Sequence, residues 1–76
     1  MSVKVHIYPT LRDAALAVLR IYQPLTTQEV TRELNSWKHA GMLGFPYFKE
    51  AIPVVLNTMQ EEGQIEYAVG TWRTVA

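Results

Sequence analysis

No cysteine occurs anywhere in this 76-residue chain. Disulfide bridges, cysteine-held zinc and thiol chemistry are thereby excluded, and bridges and metals are the usual staples of a very small fold. The chain must instead hold itself together with one apolar core, because a domain this short buries only about 60% of the surface its unfolded chain exposes. The material is present: 49% of the residues are hydrophobic and 18% are charged, a balance unlike that of disordered chains. A helix-rich core, or pairing with a second copy in a homodimer, is the expected route to stability.

Seven basic residues cancel seven acidic ones. That excludes the strongly basic coat of a general nucleic-acid binder and leaves room for a local patch. The longest uncharged runs, residues 39–48 and 51–60, are 10 residues each and each contains a proline. Both fall well short of the roughly 20 residues that cross a bilayer. The opening Met1-Ser2-Val3-Lys4-Val5-His6 alternates and lacks the apolar run of a signal peptide. These features predict a soluble, cytoplasmic protein with no membrane partner.

Val3, Val5 and Ile7 alternate with Lys4, His6 and Tyr8, the two-residue period of a half-buried strand over residues 1–9, ended by Pro9. Thr10 then suits a helix N-cap, with Asp13 favourable in the first turn. Leu11, Ala14, Ala15, Val18, Leu19 and Tyr22 recur at three- and four-residue steps, predicting a helix over residues 10–22 that stops before Pro24. Thr26-Thr27-Gln28-Glu29 reads as a capping box. With Val30, Leu34 and Trp37 at i, i+4 and i+7, it predicts a second helix over residues 27–38. A loop with two glycines and a proline follows, and its apolar residues predict a packed segment.

A third helix fits residues 47–62, with Phe48, Ile52, Val55, Leu56 and Met59 on one face and Gly63 at the C-terminal cap. Pro53 is tolerated in a first turn and costs about 3 kcal/mol deep inside a helix. Its position therefore favours a regular helix beginning near Ala51 or Ile52, after a looser turn. Residues 64–75 alternate again, with Ile65, Tyr67 and Val69 on one side. Gly70-Thr71 reads as a two-residue tip, and glycine in its first place suits a type II′ hairpin. The predicted class is α+β, in the order strand, helix, helix, helix, strand, strand.

The run Leu56-x-x-Met59-x-x-x-Gly63-x-Ile65, followed by a hairpin that carries Trp72 and Arg73, resembles the winged-helix branch of the helix-turn-helix proteins. The capped segment from Leu25 to Leu34 is similar to that family's second helix. The resemblance spans roughly residues 10–75. The chain departs from the family in a longer link between its second and third helices, a hairpin tip without basic residues, and an added N-terminal strand. That strand could pair with the hairpin or with a second copy.

The resemblance implies a small sequence-specific DNA-binding protein, a transcriptional regulator whose third helix enters the major groove of double-stranded DNA. On its outward face Asn57 and Gln60 would address adenine, and Lys49 guanine or a phosphate. Tyr47 and Thr58 would donate to phosphate oxygens, and Arg73 would serve from the wing. The bland reading of the same face is plain solvated helix. Residues 45–62 hold one lysine against three glutamates, a net −2, whereas residues 1–23 carry a net +2. Phosphate neutralisation dominates DNA affinity, so the charge favours an alternative of another class. That alternative is a protein–protein adaptor or inhibitor docking through the third helix and residues 42–48.

No catalytic residues, metal or cofactor are expected. His6 and His39 have no acidic residue at a ligand spacing, and no nucleophile–base pair or phosphate loop is present. Gly41-Met42-Leu43-Gly44 has the GxxG spacing of an RNA-clamping KH loop, but Met and Leu do not favour phosphate. Trp37 and Trp72 are most simply core aromatics.

Overall fold

The three helices form where the apolar spacing places them, and local chemistry closes their ends. The computed structural model describes residues 6–75. The Oγ1 of Thr10 accepts from the Asp13 N–H at 3.1 Å, opening helix α1 (Leu11–Tyr22). Helix α2 (Thr27–His39) opens on the full capping box: Thr26 Oγ1 accepts from the Glu29 N–H at 3.1 Å and Glu29 Oε1 from the Thr26 N–H at 2.9 Å. It ends in a Schellman motif, in which Gly41 N–H donates to the Lys38 carbonyl and Met42 N–H to that of Trp37. Helix α3 (Ala51–Glu61) ends the same way, through Gly63 to Gln60 and Gln64 to Met59. Both motifs need a left-handed residue, and Gly41 and Gly63 supply it at φ +76° and +80°.

Helix α3 begins at Ala51, not at Tyr47. Pro53 is then its third residue, where a backbone N–H has no helical partner to lose. The preceding turn is held by the Phe48 and Lys49 carbonyls, which accept from Ala51 and Ile52. Phe48 therefore falls outside the helical period. The expectation that it shares the core face is overturned, for it is 80% exposed.

Strands β1 (Ile65–Ala68) and β2 (Thr71–Thr74) pair antiparallel, with Ile65 opposite Thr74 and Tyr67 opposite Trp72. The tip is Val69-Gly70, one residue earlier than the glycine suggested. Both residues have positive φ, 53° and 78°, as in a type I′ turn and not the type II′ turn expected. The Tyr67–Trp72 aromatic contact at 4.7 Å accompanies this register. Ile65 is buried, but Tyr67 is half exposed and Val69 fully exposed, so the three do not share a buried side.

A β-branched residue in the left-handed region is strained by about 1–3 kcal/mol. Val69→Asn, which suits that turn position, is expected to stabilise the fold by about 1 kcal/mol and raise Tm by roughly 4–8 °C. An unchanged or lowered Tm would mean that the tip does not hold Val69 at positive φ in solution.

The α+β chain thus runs three helices followed by a two-stranded antiparallel hairpin. Helix α1 packs against α2, α3 and β2. One core unites Ala14, Val18 and Leu19 of α1, Val30, Leu34 and Trp37 of α2, and Ile52, Leu56 and Met59 of α3 with Ile65 and Trp72. Leu25, between α1 and α2, makes two backbone hydrogen bonds with Trp72, at 3.0 and 2.6 Å, and so lies beside the hairpin. Gln23 Oε1 fastens the far end of β2 by accepting from the Thr74 N–H and hydroxyl at 2.7 and 2.8 Å.

The expected N-terminal strand, residues 1–9, lies partly outside the described residues, Val3 and Val5 included. In its described part His6 is exposed as expected, but Ile7 and Tyr8 depart from the alternation. Tyr8 turns inward and stacks on Trp37 at 5.2 Å, while Ile7 is 57% exposed. Tyr8 pairs with neither strand of the hairpin. Its N–H donates to the Met42 carbonyl at 2.8 Å and its carbonyl accepts from Gly44 at 2.9 Å, one parallel bridge to the loop between α2 and α3. Met42, Leu43 and Phe45 of that loop pack against the core, as their apolar character implied.

Candidate functional site

Helix α3 presents two different surfaces beside its core stripe. Pro53, Asn57 and Gln60 stand at i, i+4 and i+7 and line a cleft of about 230 Å³ shared with Thr27, Tyr67 and Trp72. Glu50, Val54, Thr58 and Glu61 form a ridge on the side away from Ile52, Leu56 and Met59, and all four are exposed. The two carboxamides are therefore on a flank facing the hairpin and the start of α2, not on the crest of the helix.

The cleft is built by long-range contacts. Trp72 is buried, and its Nε1–H donates to Thr27 Oγ1 at 2.8 Å, which ties β2 to the first turn of α2. Tyr67 leans on the Trp72 ring and remains half exposed. At this volume the cleft is below the size of ordinary small-molecule pockets. Its exposed amide groups suit the edge of a larger partner.

The remaining anticipated residues are more dispersed. Lys49 is exposed in the turn before α3 and makes no ion pair among the described residues. Tyr47 is half-buried in the preceding loop, 5.9 Å from the Phe45 ring and with Lys38 Nζ 5.9 Å from its own ring centre. Burial pushes its phenol above the ordinary value of 10.0, so it stays a protonated donor. Thr58 Oγ1 donates to the Val54 carbonyl at 3.0 Å, so its hydroxyl proton is engaged within the helix. Arg73 Nε lies 2.8 Å from Glu66 Oε1 across the hairpin, and both side chains are about half exposed. The structure thus brings Asn57 and Gln60 together, places Lys49 and Tyr47 at the other end of α3, and pairs off Arg73.

Charge on this side of the molecule is sparse. Arg12 of α1 pairs with Glu62 and donates from Nε to Gln64 Oε1 at 3.2 Å, which neutralises one of the three glutamates near α3. Glu50 and Glu61 make no ion pair among the described residues. Thr27, Tyr67 and Trp72 were not anticipated as part of the site. The capping box marked where α2 begins, but no local signal joined that turn to the hairpin.

Among the described residues no three His, Asp or Glu side chains gather as metal ligands, and no helix is long and apolar enough to cross a membrane. Comparison with protein-family models, curated proteins and solved structures returned no match.

Proposed function

We propose that the chain is a winged-helix DNA-binding module, with α3 as its reading helix and the β1–β2 hairpin as its wing, acting as a small regulator of transcription. The order of elements and the bridge from Leu25 to the hairpin support this reading. The observation that carries it is the shared cleft: Asn57 and Gln60 open to the same side as the start of α2 and Tyr67 of the hairpin. A duplex lying along that side meets a helix start, two carboxamides and the wing together. Asn57 and Gln60 pair with adenine edges. Lys49 and Tyr47 contact phosphate, Thr58 accepts from a base amino group, and Arg73 reaches phosphate by leaving Glu66.

The scarcity of free cations sets the terms of binding. With Lys49 and a released Arg73 as the phosphate partners, about two phosphates are neutralised, and log K should fall against log salt with a slope of only about −2. Glu50→Gln with Glu61→Gln removes two repelling carboxylates, and should tighten binding to mixed duplex DNA most clearly at low salt. Asn57→Ala should cost about 1–3 kcal/mol at one base position and leave other positions untouched. Failure to bind any duplex below about 0.1 mM at low salt, weaker than ordinary non-specific affinity, would remove DNA as the ligand.

A second reading has its own observation. Phe48 is 80% exposed, Val54 stands on the α3 crest between the two free glutamates, and Val69 is fully exposed at the hairpin tip. Apolar side chains beside carboxylates suit a protein partner with a basic, apolar surface, held through α3 and residues 42–48. For that partner the glutamine pair slows association instead of tightening it. The same variant therefore moves in opposite directions under the two readings.

A further inference from the structure

Helix α1 carries apolar side chains outside its fully buried face: Leu16 and Ala17, half-buried at the margin of the core, and Ile21 beyond it. Ala14, Ala15, Val18 and Leu19 are buried. Beside that face Asp13, Leu16, Ala17 and Arg20 stand at i, i+3, i+4 and i+7, which makes one stripe along the helix. This stripe lines an open trough of about 440 Å³ beside Tyr8 and Pro9. Ile21, 60% exposed, stands at one end. Asp13 and Arg20 make no ion pair among the described residues. His6, Asp13 and Arg20 reach the trough from exposed positions, and none of them is buried to fix a small polar ligand. A long amphipathic surface fits the trough better.

We propose that a second copy of this chain covers it, through antiparallel pairing of α1 with the partner's α1 about a two-fold axis between Leu16 and Ala17. The stripe is self-complementary in that arrangement alone. The axis lies midway between Asp13 and Arg20, so each Asp13 faces the partner's Arg20, and each Leu16 faces the partner's Ala17. The two charges are seven residues apart, about 10.5 Å along the helix, and both cross-pairs form at once. A parallel pairing sets Asp13 against the partner's Asp13 and Arg20 against the partner's Arg20, which is repulsive twice over. A large side chain facing a small one at the axis lets the helices approach closely. The exposed margins of Leu16 and Ala17, with Ile21 beside them, supply adhesion, and the charges fix orientation. An isologous contact of this kind closes at two subunits.

The test is sedimentation velocity on the intact chain and on Asp13→Lys, Arg20→Glu and Ala17→Gln, with circular dichroism to establish that each is folded. The wild type should dimerise. Either charge reversal alone should weaken the dimer by at least about tenfold, because two attractive contacts become repulsive. Mixing the Asp13→Lys chain with the Arg20→Glu chain should restore a dimer, since both contacts in the mixed pair again join opposite charges. Ala17→Gln puts bulk at the axis without changing charge, and should also weaken the dimer. A wild type still monomeric at about 0.5 mM overturns the proposal. So does a dimer indifferent to both reversals, or a mixture that fails to recover.

Discussion

Leu56→Ala is expected to destabilise the protein by about 2–5 kcal/mol, read as a shift in denaturant midpoint at unchanged slope. Leu56 is fully buried, in one core with Leu19, Val30, Leu34, Ile52, Met59 and Ile65. Truncation removes its transfer free energy and leaves a cavity that three helices and the hairpin cannot all collapse to fill. A 76-residue chain has on the order of 4–11 kcal/mol of total stability to lose. At the low end of that range the loss consumes most of the stability and unfolds a large part of the population. A loss below about 0.5 kcal/mol would put Leu56 at the surface and reject the orientation of α3.

Trp72→Ala carries an expected loss of about 3–5 kcal/mol, and its consequences reach the candidate site. The indole is buried, and three contacts meet at this residue: the hydrogen bond to Thr27, the packing against Tyr67, and the backbone pairing with Leu25. Trp72→Phe separates them. It keeps most of the apolar burial and gives up the Nε1–H bond, so it should cost about 0.5–1.5 kcal/mol for that bond in addition to a smaller packing loss. Both variants loosen the wall of the cleft that holds Asn57 and Gln60. A loss under about 1 kcal/mol for Trp72→Ala would show that the hairpin does not depend on this anchor.

The parts of the fold that were legible in the sequence are those decided within a turn or two of chain. A threonine before an apolar stripe, a glutamate three residues after a threonine, and a glycine after the last periodic residue each satisfy backbone groups left free at a helix end. Thr10, Thr26 with Glu29, and Gly63 accordingly mark helix ends in the structure. The three-helix core was legible for the same reason, because the 3.6-residue period assigns a whole face at once. Pro53 likewise marked where α3 starts, although the apolar spacing drew Phe48 into the helix.

Tertiary structure alone decided the short extended segments and the site. In a strand of three or four residues the period of two is too brief to choose a face, and a shift of one residue reverses it. Tyr8 therefore turned inward in place of Ile7, because Trp37 offered its ring a partner. At the hairpin tip the Tyr67–Trp72 pair went with a turn that suits Gly70 in its second place and strains Val69 in its first. The candidate site residues were visible as exposed polar side chains on α3, but their usefulness depends on partners far away in sequence. Glu66 occupies Arg73, the Val54 carbonyl occupies the Thr58 hydroxyl, and the indole N–H of Trp72 brings Thr27 beside Asn57 and Gln60. Local propensity specifies where the chain turns and coils. Which side chains remain free to meet a ligand is settled only when the packed elements compete for them.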